Sequence, residues 1–273
     1  MLSLHTNAAS LSTQNSLAST NKALSSSMTK LGTGYRVNSA MDDAAGLQIA
    51  TRLNAQARGM SVAQKNTQNG ISMLQTAEGA LAEVGNIILR MKDLATEGSN
   101  ATATTDDKTA MKAEFDALSA EITNIMDNTK FGGQALMATG GTLTAAASFQ
   151  IGATAAETYS FDASGSLTAL NTAITALKAG AIANGTITLA ETASNAVGTL
   201  RSAIGAGANR LEHVYNNLGN MIQNTEAAKG RILDVDYASE TANMTNKQML
   251  MQASSAMLKQ SSSMSQMVAS LLQ

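Results

Sequence analysis

The sequence contains no cysteine, no proline and no tryptophan. Without cysteine, disulfides and thiolate metal or redox sites are excluded. At average usage, a chain of 273 residues would contain roughly fourteen prolines. Proline breaks helices, and X-Pro bonds isomerise slowly. Its absence therefore favours long uninterrupted helices and a chain that unfolds and refolds readily.

Charged and aromatic residues are also scarce. They make up 14% and 3% of the chain, whereas the charged share of a typical globular protein is about 25%. The formal net charge of −2 provides no basic field to attract nucleic acid and leaves little repulsion between copies of the chain. The composition therefore permits self-association and does not suggest nucleic-acid binding.

The amino-terminal segment, MLSLHTNAAS, lacks the basic and apolar regions of a cleaved signal peptide. No part of the sequence approaches the run of about 18 apolar residues that spans a membrane. We expect no membrane insertion, and we expect export, if it occurs, to use a route without a cleaved signal.

Motifs of catalysis and metal binding are missing. His5 and His213 lie in separate helical patterns, so no zinc motif with paired histidines has the required spacing. The run from Gly205 to Gly207 is similar to the start of a dinucleotide-binding loop, but Arg210 takes the place of the third glycine. We therefore predict a protein that is not an enzyme, with no catalytic residue, no cofactor and no metal site.

The amino-terminal part has two apolar stripes at seven-residue spacing, which predict a coiled-coil helix from about Ser3 to Leu31. Gly32 and Gly34 are expected to end this helix. One stripe consists of Leu4, Leu11 and Ala18, and the other of Leu17, Leu24 and Leu31.

Two more helices are predicted from their start signals. Ser39 and Asp42 have the Ser-x-x-Asp spacing of a helix start, and a long helix is expected to continue to Gly98. From Met73 to Leu94 its apolar residues alternate in steps of four and three, as in a coiled-coil seam. Thr104 and Asp107 similarly predict the start of a third helix.

The middle of the chain, from about 130 to 188, is rich in glycine, threonine, alanine and serine. Alternating segments at 148–151 and 158–161 predict short strands that form a hairpin. Apolar residues between Leu167 and Leu177 predict a small helix, and residues 186–189 another strand.

Helical periodicity returns at about Glu191 and is interrupted by Gly230 and by the acidic residues at 234–236. The last helix is predicted from about Ala238 to Leu271. Its apolar seam repeats in steps of three and four through Leu250, Ala253, Met257, Gln260, Met264, Met267 and Leu271.

The terminal helices have similar lengths, which suggests that the chain returns on itself and places its termini side by side. One helix pair cannot bury stripes on several faces, so we expect other copies of the chain to cover the remainder. An isolated pair would bury too little apolar surface to offset its ordering cost, so we expect it to be largely disordered in the monomer.

Several sequence motifs resemble those of one family, the bacterial flagellins. The run from Gly34 to Ala50, GYRVNSAMDDAAGLQIA, is similar to the amino-terminal signature of that family, as is NTQNGISMLQTAEGAL from Asn66 to Leu81. Near the carboxyl terminus the resemblance continues in Asn209-Arg210-Leu211, Asn217-Leu218, Arg231-Ile232, Asp234-x-Asp236-Tyr237, Glu240 and the Gln- and Ser-rich last helix. Phe131-Gly132-Gly133 and Phe149-Gln150-Ile151-Gly152 resemble the hairpin of the family.

The resemblance implies a mainly α-helical fold, a long antiparallel coiled-coil-like rod with a small β-hairpin and paired terminal helices. It implies an inner domain from residues 1–43 and 232–273 and an outer rod domain from 44–231. Within the rod domain, the hairpin would occupy about 130–162 and a short remnant insert about 163–190. This would be a short flagellin without large outer variable domains.

The implied function is that of a structural subunit which polymerises into the bacterial flagellar filament for motility. It would be secreted through type III export to the extracellular filament. Its partners would be other copies of itself, an export chaperone, the filament cap and the hook-junction proteins. The alternatives are a hook-filament junction protein and, from a different class, a surface adhesin or glycan-binding protein.

The resemblance also suggests contacts with the flagellin-sensing Toll-like receptor of animals through Arg90, Leu94 and Glu114. Leu89 and Lys92 stand where the family usually has Gln and Arg. For the assembly seam, the candidates are Leu4, Leu11, Leu24, Leu31, Leu250, Met257, Met264, Met267 and Leu271. Asp42, Asp43 and Arg52 suit either helix capping with a solvated charge pair or an intersubunit role.

Overall fold

The structure, a computed structural model, describes residues 7–271. The described residues form six α-helices and two small antiparallel sheets. The helices are α1 (Ala8–Thr33), α2 (Ala44–Gly98), α3 (Thr105–Asn128), α4 (Ser164–Lys178), α5 (Asn184–Leu233) and α6 (Tyr237–Leu271). The strands are β1 (Lys130–Phe131), β2 (Gln134–Ala135), β3 (Ala147–Gln150) and β4 (Thr158–Phe161). The predicted mainly α-helical class is confirmed.

Helix starts follow local capping chemistry. The Thr104 hydroxyl accepts a hydrogen bond from the Asp107 N–H, and the Asp107 carboxylate accepts one from the Thr104 N–H, which completes the predicted capping box of α3. In α1, the Asn7 side chain accepts from the Ser10 N–H. The predicted start of α1 at Ser3 lies outside the described residues.

The predicted start of α2 at Ser39 and Asp42 is wrong by a few residues. The Asp42 carboxylate accepts hydrogen bonds from the Asn38 and Ser39 N–H groups and so closes a turn before the helix. The next residue, Asp43, accepts from the Gly46 N–H at 2.8 Å and caps the helix that begins at Ala44. Asp42 therefore closes the turn and Asp43 caps the helix, whereas the Ser-x-x-Asp pattern assigned the helix start to Asp42 alone.

The predicted strand at residues 186–189 is also wrong, because these residues belong to α5, which begins at Asn184 and not near Glu191. Thr186, Ala190, Ala193 and Val197 are buried in steps of four, three and four, which is the spacing of a helix face. The short Thr-Ile-Thr-Leu alternation is overridden by that longer stripe. The predicted hairpin strands and the small helix are confirmed as β3, β4 and α4.

The chain divides into two compact units. We call residues 1–55 and 224–273 the terminal unit and residues 56–223 the central unit. The terminal unit contains α1 and α6, and the central unit contains α3, α4 and the strands. The domain boundaries implied by the resemblance, at 43/44 and 231/232, concern the assembled protein and stay a prediction.

The central unit has a continuous apolar core. Surface ion pairs join α2 to both neighbouring helices, through Arg90 with Glu114 of α3 and Arg201 of α5 with Glu78. Because α2 packs against more than one helix, it buries a wider face than a two-helix seam. The largest fully buried side chains of this core include Leu74, Leu81, Ile88, Phe115, Ile122, Leu136, Leu143 and Leu167.

The β3–β4 hairpin packs directly on α5, with Ala147 opposite Phe161 and Gln150 opposite Thr158 in its register. Gly207 makes the close approach possible, because a Cβ atom there would lie 2.7 Å from the Phe161 ring. One turn further, the Arg210 guanidinium lies 4.5 Å from the centre of the Tyr159 ring. The Gly205–Gly207 run therefore lies within a helix, and Gly207 is its packing position.

Candidate assembly surface on the terminal helices

Helices α1 and α6 lie side by side and antiparallel, as predicted. Their facing residues form a seam in which spacings of three and four alternate, and we call it the inner seam. On α1 its half-buried or buried members are Ser10, Thr13, Leu17, Thr20, Leu24, Ser27 and Leu31. On α6 they are Met244, Lys247, Met251, Ser254, Leu258 and Ser261. Small polar residues occupy many of these positions, so the inner seam buries little apolar surface.

Polar contacts set the register of the inner seam. The Lys247 ammonium donates to the Ser27 hydroxyl at 2.7 Å. Near the other end, the Asn7 side-chain amide donates to the carbonyl and hydroxyl oxygens of Ser261, both at 3.3 Å. These contacts join residues that are 220 and 254 positions apart. No local sequence signal identifies them, because the apolar repeat of α6 through Leu250, Met257 and Met264 is offset from both Lys247 and Ser261.

A backbone bridge joins the loops at the ends of these helices. The Val235 N–H donates to the Gly34 carbonyl at 3.0 Å, and the Arg36 N–H donates to the Leu233 carbonyl at 2.6 Å. Tyr35 and Asp234 are the antiparallel pair between them. Gly34 ends α1 with a φ of 76°, and its N–H donates to the Lys30 carbonyl. This left-handed conformation at a helix end favours glycine. The bridge holds the start of α6 beside the end of α1.

A second apolar stripe faces away from the inner seam. We call it the outer stripe: Leu11 of α1 with Leu250, Met257, Met264 and Met267 of α6. Their relative exposures lie between 50% and 63%. The structure thus separates the seam candidates, because Leu24 and Leu31 lie in the inner seam and these five do not. Leu4 and the side chain of Leu271 lie outside the described residues.

The terminal unit buries far fewer apolar side chains than the central unit. Among its described residues, the buried apolar side chains are Leu24, Val37 and Ala50, whereas the central unit buries a complete core. Most of the large apolar side chains exposed in the described chain belong to the terminal unit. An apolar surface of this kind marks a site of protein association.

The turn before α2 adds an exposed apolar side chain to the terminal unit. Met41 is 92% exposed. It lies in the turn in which the Asn38 and Ser39 N–H groups donate to the Asp42 carboxylate. Backbone hydrogen bonds from Asn38 and Ser39, with one from the Ser39 hydroxyl, lower the pKa of Asp42. The sequence motif pointed to Asp42 and Asp43 but not to Met41. Arg52 is exposed on α2.

The receptor-contact candidates lie on the central unit. The Arg90 guanidinium pairs with the Glu114 carboxylate at 2.8 Å, and both side chains are about half exposed. This hydrogen bond and the opposite charge raise the pKa of Arg90. Leu94 is 2% exposed and packs in the core, so it supports α2 from within. Lys92 pairs with Glu191 at 2.9 Å. A receptor role for these residues stays a prediction.

Neither a metal site nor a membrane span is found in the described part of the chain. Residues 7–271 contain no group of three or more His, Cys, Asp or Glu residues placed to hold a metal ion. None of the described helices is long and apolar enough to cross a membrane.

A closed central unit combined with apolar stripes on paired terminal helices defines a class of helical, self-associating proteins. Residues 4–142 match the family model of the bacterial flagellin N-terminal helical region, and residues 187–272 match that of the C-terminal helical region. The chain belongs to the bacterial flagellin family.

Two relatives by sequence agree with this assignment. The chain is 42% identical to a flagellin of Halalkalibacterium halodurans, with 90% of each chain covered. It is 38% identical to a flagellin of Bacillus subtilis, with 97% of this chain and 98% of the relative covered. The crystal structure of Bacillus cereus flagellin is 29% identical over 56% of this chain and 88% of that chain, with a TM-score of 0.48.

Proposed function

We propose that this chain is a structural subunit that polymerises into the bacterial flagellar filament for motility. The observation that carries the proposal is the outer stripe: half-exposed leucine and methionine side chains on paired terminal helices of a flagellin-family protein. The central unit has its own core and needs no partner to cover it. The terminal unit has an apolar face that another copy of the chain can cover.

Covering this surface contributes a favourable free energy to assembly in a repeating polymer. Covering the exposed half of one leucine or methionine side chain contributes about 1 kcal/mol. The five residues of the outer stripe then contribute about 5 kcal/mol per subunit. Loss of translational freedom and side-chain ordering oppose this gain. Because each subunit in a helical polymer has several neighbours, contacts outside the outer stripe add to this gain while each subunit loses its freedom once.

The terminal helices and polymerisation are coupled in this proposal. The inner seam contains mostly serine, threonine and half-buried side chains, so the pair needs its neighbours for full stability. Removing residues 1–35 and 238–273 should leave a soluble helical protein that melts cooperatively and forms no filaments. Circular dichroism and sedimentation measure both properties, and limited proteolysis reports the order of the termini in the full-length monomer. Truncated protein that still polymerised, or monomer termini already fully protected, would contradict the coupling.

The proposal includes a route and partners before assembly. The subunit is secreted through flagellar type III export, and a cytosolic chaperone covers Met257, Met264 and Met267 until then. The support is that these side chains are exposed on α6 and would otherwise associate prematurely. The filament cap and the hook-junction proteins are proposed as partners at the ends of the polymer. Co-purification of the chaperone that survives deletion of residues 240–273 would contradict this placement.

Charge substitution in the outer stripe tests the central proposal. The double variant Met257→Lys and Met264→Lys places two ammonium groups in the outer stripe. A neighbouring subunit that covers the stripe would have to desolvate both charges, so seeded polymerisation should be abolished. Gln252→Lys is the matched control, since Gln252 is exposed on the same helix outside both the inner seam and the outer stripe. The control should polymerise like the unmodified chain. If the double variant also does so in sedimentation assays, the outer stripe is not the assembly surface.

A further inference from the structure

Two contrasting groups stand out among the methionines of the described chain. Five of them, Met60, Met73, Met91, Met126 and Met137, are at most 8% exposed, and all five belong to the central unit. On the terminal unit, by contrast, Met28, Met41, Met249, Met257, Met264 and Met267 are between 50% and 92% exposed. The thioether groups that solvent reaches most easily are therefore concentrated on the unit that mediates assembly.

Helix α6 carries most of the exposed group. Met244 and Met251 are half-buried in the inner seam, whereas Met249, Met257, Met264 and Met267 point away from it, at 55%, 63%, 50% and 59% exposure. We call these four the outward methionines. Three of them belong to the outer stripe, so a change in their polarity acts directly on the apolar surface that a neighbouring subunit covers.

We propose that the outward methionines are a site of reversible oxidation by hydroperoxides that controls the assembly of the free subunit. The inference rests on the proposed function as a filament subunit. In the step itself, the thioether sulfur attacks one oxygen of the peroxide and the O–O bond breaks. That oxygen loses its proton and forms the sulfoxide, and the other oxygen takes up this proton and leaves as water from hydrogen peroxide or as an alcohol from an organic hydroperoxide. The sulfur is oxidised by two electrons and the peroxide is reduced by two.

The sulfoxide changes the outer stripe from apolar to polar. A neighbour that covers it must desolvate a strong hydrogen-bond acceptor, and an apolar partner surface offers no donor in return. The five buried methionines of the central unit are shielded from the oxidant, so its core stays intact under the same treatment. Oxidation therefore changes assembly without unfolding the central unit, and methionine sulfoxide reductases can reverse it.

Assembly should in turn protect the site. Once a neighbouring subunit covers the outer stripe, the sulfur atoms are shielded from the oxidant, as are those of the central core. The inference thus predicts that free subunits not covered by a chaperone are sensitive and that subunits already within a filament are resistant. Exposed methionine also suits the stripe for another reason, since its flexible side chain fits irregular neighbouring surfaces.

The experiment treats full-length monomer with dilute hydrogen peroxide, maps sulfoxides by peptide mass spectrometry, and measures seeded polymerisation by sedimentation. The outward methionines should be oxidised before those of the central unit. The association constant should fall at least about tenfold, the change expected when the burial of one methionine side chain is lost. Incubation with both sulfoxide reductases should restore polymerisation, and preformed filaments should resist modification of Met257, Met264 and Met267.

Two variants locate the effect, each compared with its own untreated sample. A variant with leucine at all four outward positions should lose little of its polymerisation on treatment. A control with leucine at Met28, Met41 and Met221, all exposed elsewhere, should remain as sensitive as the unmodified chain. The inference is overturned if oxidised monomer polymerises like untreated monomer, if the reductases restore nothing, or if the fourfold variant is equally sensitive. Untreated chain that forms no filaments would instead refute the proposed function, and with it the control of assembly by oxidation.

Discussion

Lys247 on α6 donates a hydrogen bond of 2.7 Å to the hydroxyl of Ser27 on α1, and Ser27 is only 1% exposed. A long cationic side chain thus ends on a small polar residue inside the seam between the terminal helices. Isolated polar residues in coiled-coil seams specify register at a cost in stability. We infer that this contact holds α1 and α6 in one alignment.

Replacing Ser27 by alanine should weaken both the helix pair and the polymer that depends on it. The substitution leaves the Lys247 ammonium without its partner in the seam, which costs about 1.4 kcal/mol and raises the critical concentration about tenfold. Ser26→Ala is the control, because Ser26 is exposed on the same helix turn. The critical concentration comes from sedimentation at increasing subunit concentration. Equal values for the two variants would show that the contact does not stabilise the pair.

Two glycines of α5 should respond to alanine in opposite directions. A Cβ atom at Gly207 would lie 2.7 Å from the ring of Phe161, which is 5% exposed and cannot move aside easily. Overpacking of this kind costs about 1 to 3 kcal/mol, which exceeds the gain of up to about 1 kcal/mol in helix propensity.

At Gly205 nothing lies within 4 Å of an added Cβ atom. Gly205→Ala should therefore raise the melting temperature, whereas Gly207→Ala should lower it. Thermal unfolding followed by circular dichroism measures both. A rise for both variants would mean that the hairpin does not pack on α5 as described.

The capping box of α3 predicts a dependence of stability on pH. Hydrogen bonds from the Thr104 hydroxyl and from its N–H lower the pKa of Asp107 in the folded protein. A carboxyl group whose folded pKa is depressed stabilises the fold above its unfolded pKa of about 3.9. That stabilisation is lost as the pH falls through the lower folded value.

Asp107→Asn should therefore lower the melting temperature at pH 7, and the difference from the unmodified chain should shrink below about pH 4. Asp106→Asn is the control, because Asp106 lies in the same first turn but outside the capping box. Melting curves between pH 2 and pH 7, a span chosen to cover the ordinary carboxyl range of about 3 to 5, test this. A pH-independent difference for Asp107→Asn would refute the ionic contribution.

Arg90 and Arg201 offer a matched test of receptor recognition. Each forms a surface ion pair, Arg90 with Glu114 at 2.8 Å and Arg201 with Glu78 at 2.7 Å, with similar exposure. Surface pairs contribute less than about 1 kcal/mol to stability. Substitution by alanine should therefore leave both proteins folded.

If Arg90 contacts the flagellin-sensing Toll-like receptor, Arg90→Ala should lower the response in a receptor-reporter assay roughly tenfold, the effect of losing about 1.4 kcal/mol. Arg201→Ala should not change the response. Equal responses of the two variants and the unmodified monomer would remove Arg90 from the contact. Loss with both variants would indicate a general charge effect.

Local features of this protein are determined by the sequence alone. The Thr104 and Asp107 capping box, the α4 stripe from Leu167 to Leu177 and the β3–β4 hairpin were all predictable, because each depends on residues only a few positions apart. Where two local signals competed, the prediction failed. Asp42 and Asp43 both qualify as helix caps, and the hydrogen bonds of the folded chain assign the cap to Asp43. Thr186 fits a short strand as well as a long helix, and its burial on α5 places it in the helix.

Only the tertiary structure decided which apolar stripe faces inward. Leu24 and Met257 have the same heptad spacing from their neighbours, yet Leu24 is 7% exposed and Met257 is 63% exposed. For Leu94, by contrast, the apolar repeat from Met73 to Leu94 already placed the side chain in a seam, and it is 2% exposed. A periodic pattern specifies that a face exists, but the relative rotation of two helices specifies what covers it. That rotation is set by contacts such as those of Ser27 with Lys247 and Asn7 with Ser261, which join residues far apart in sequence.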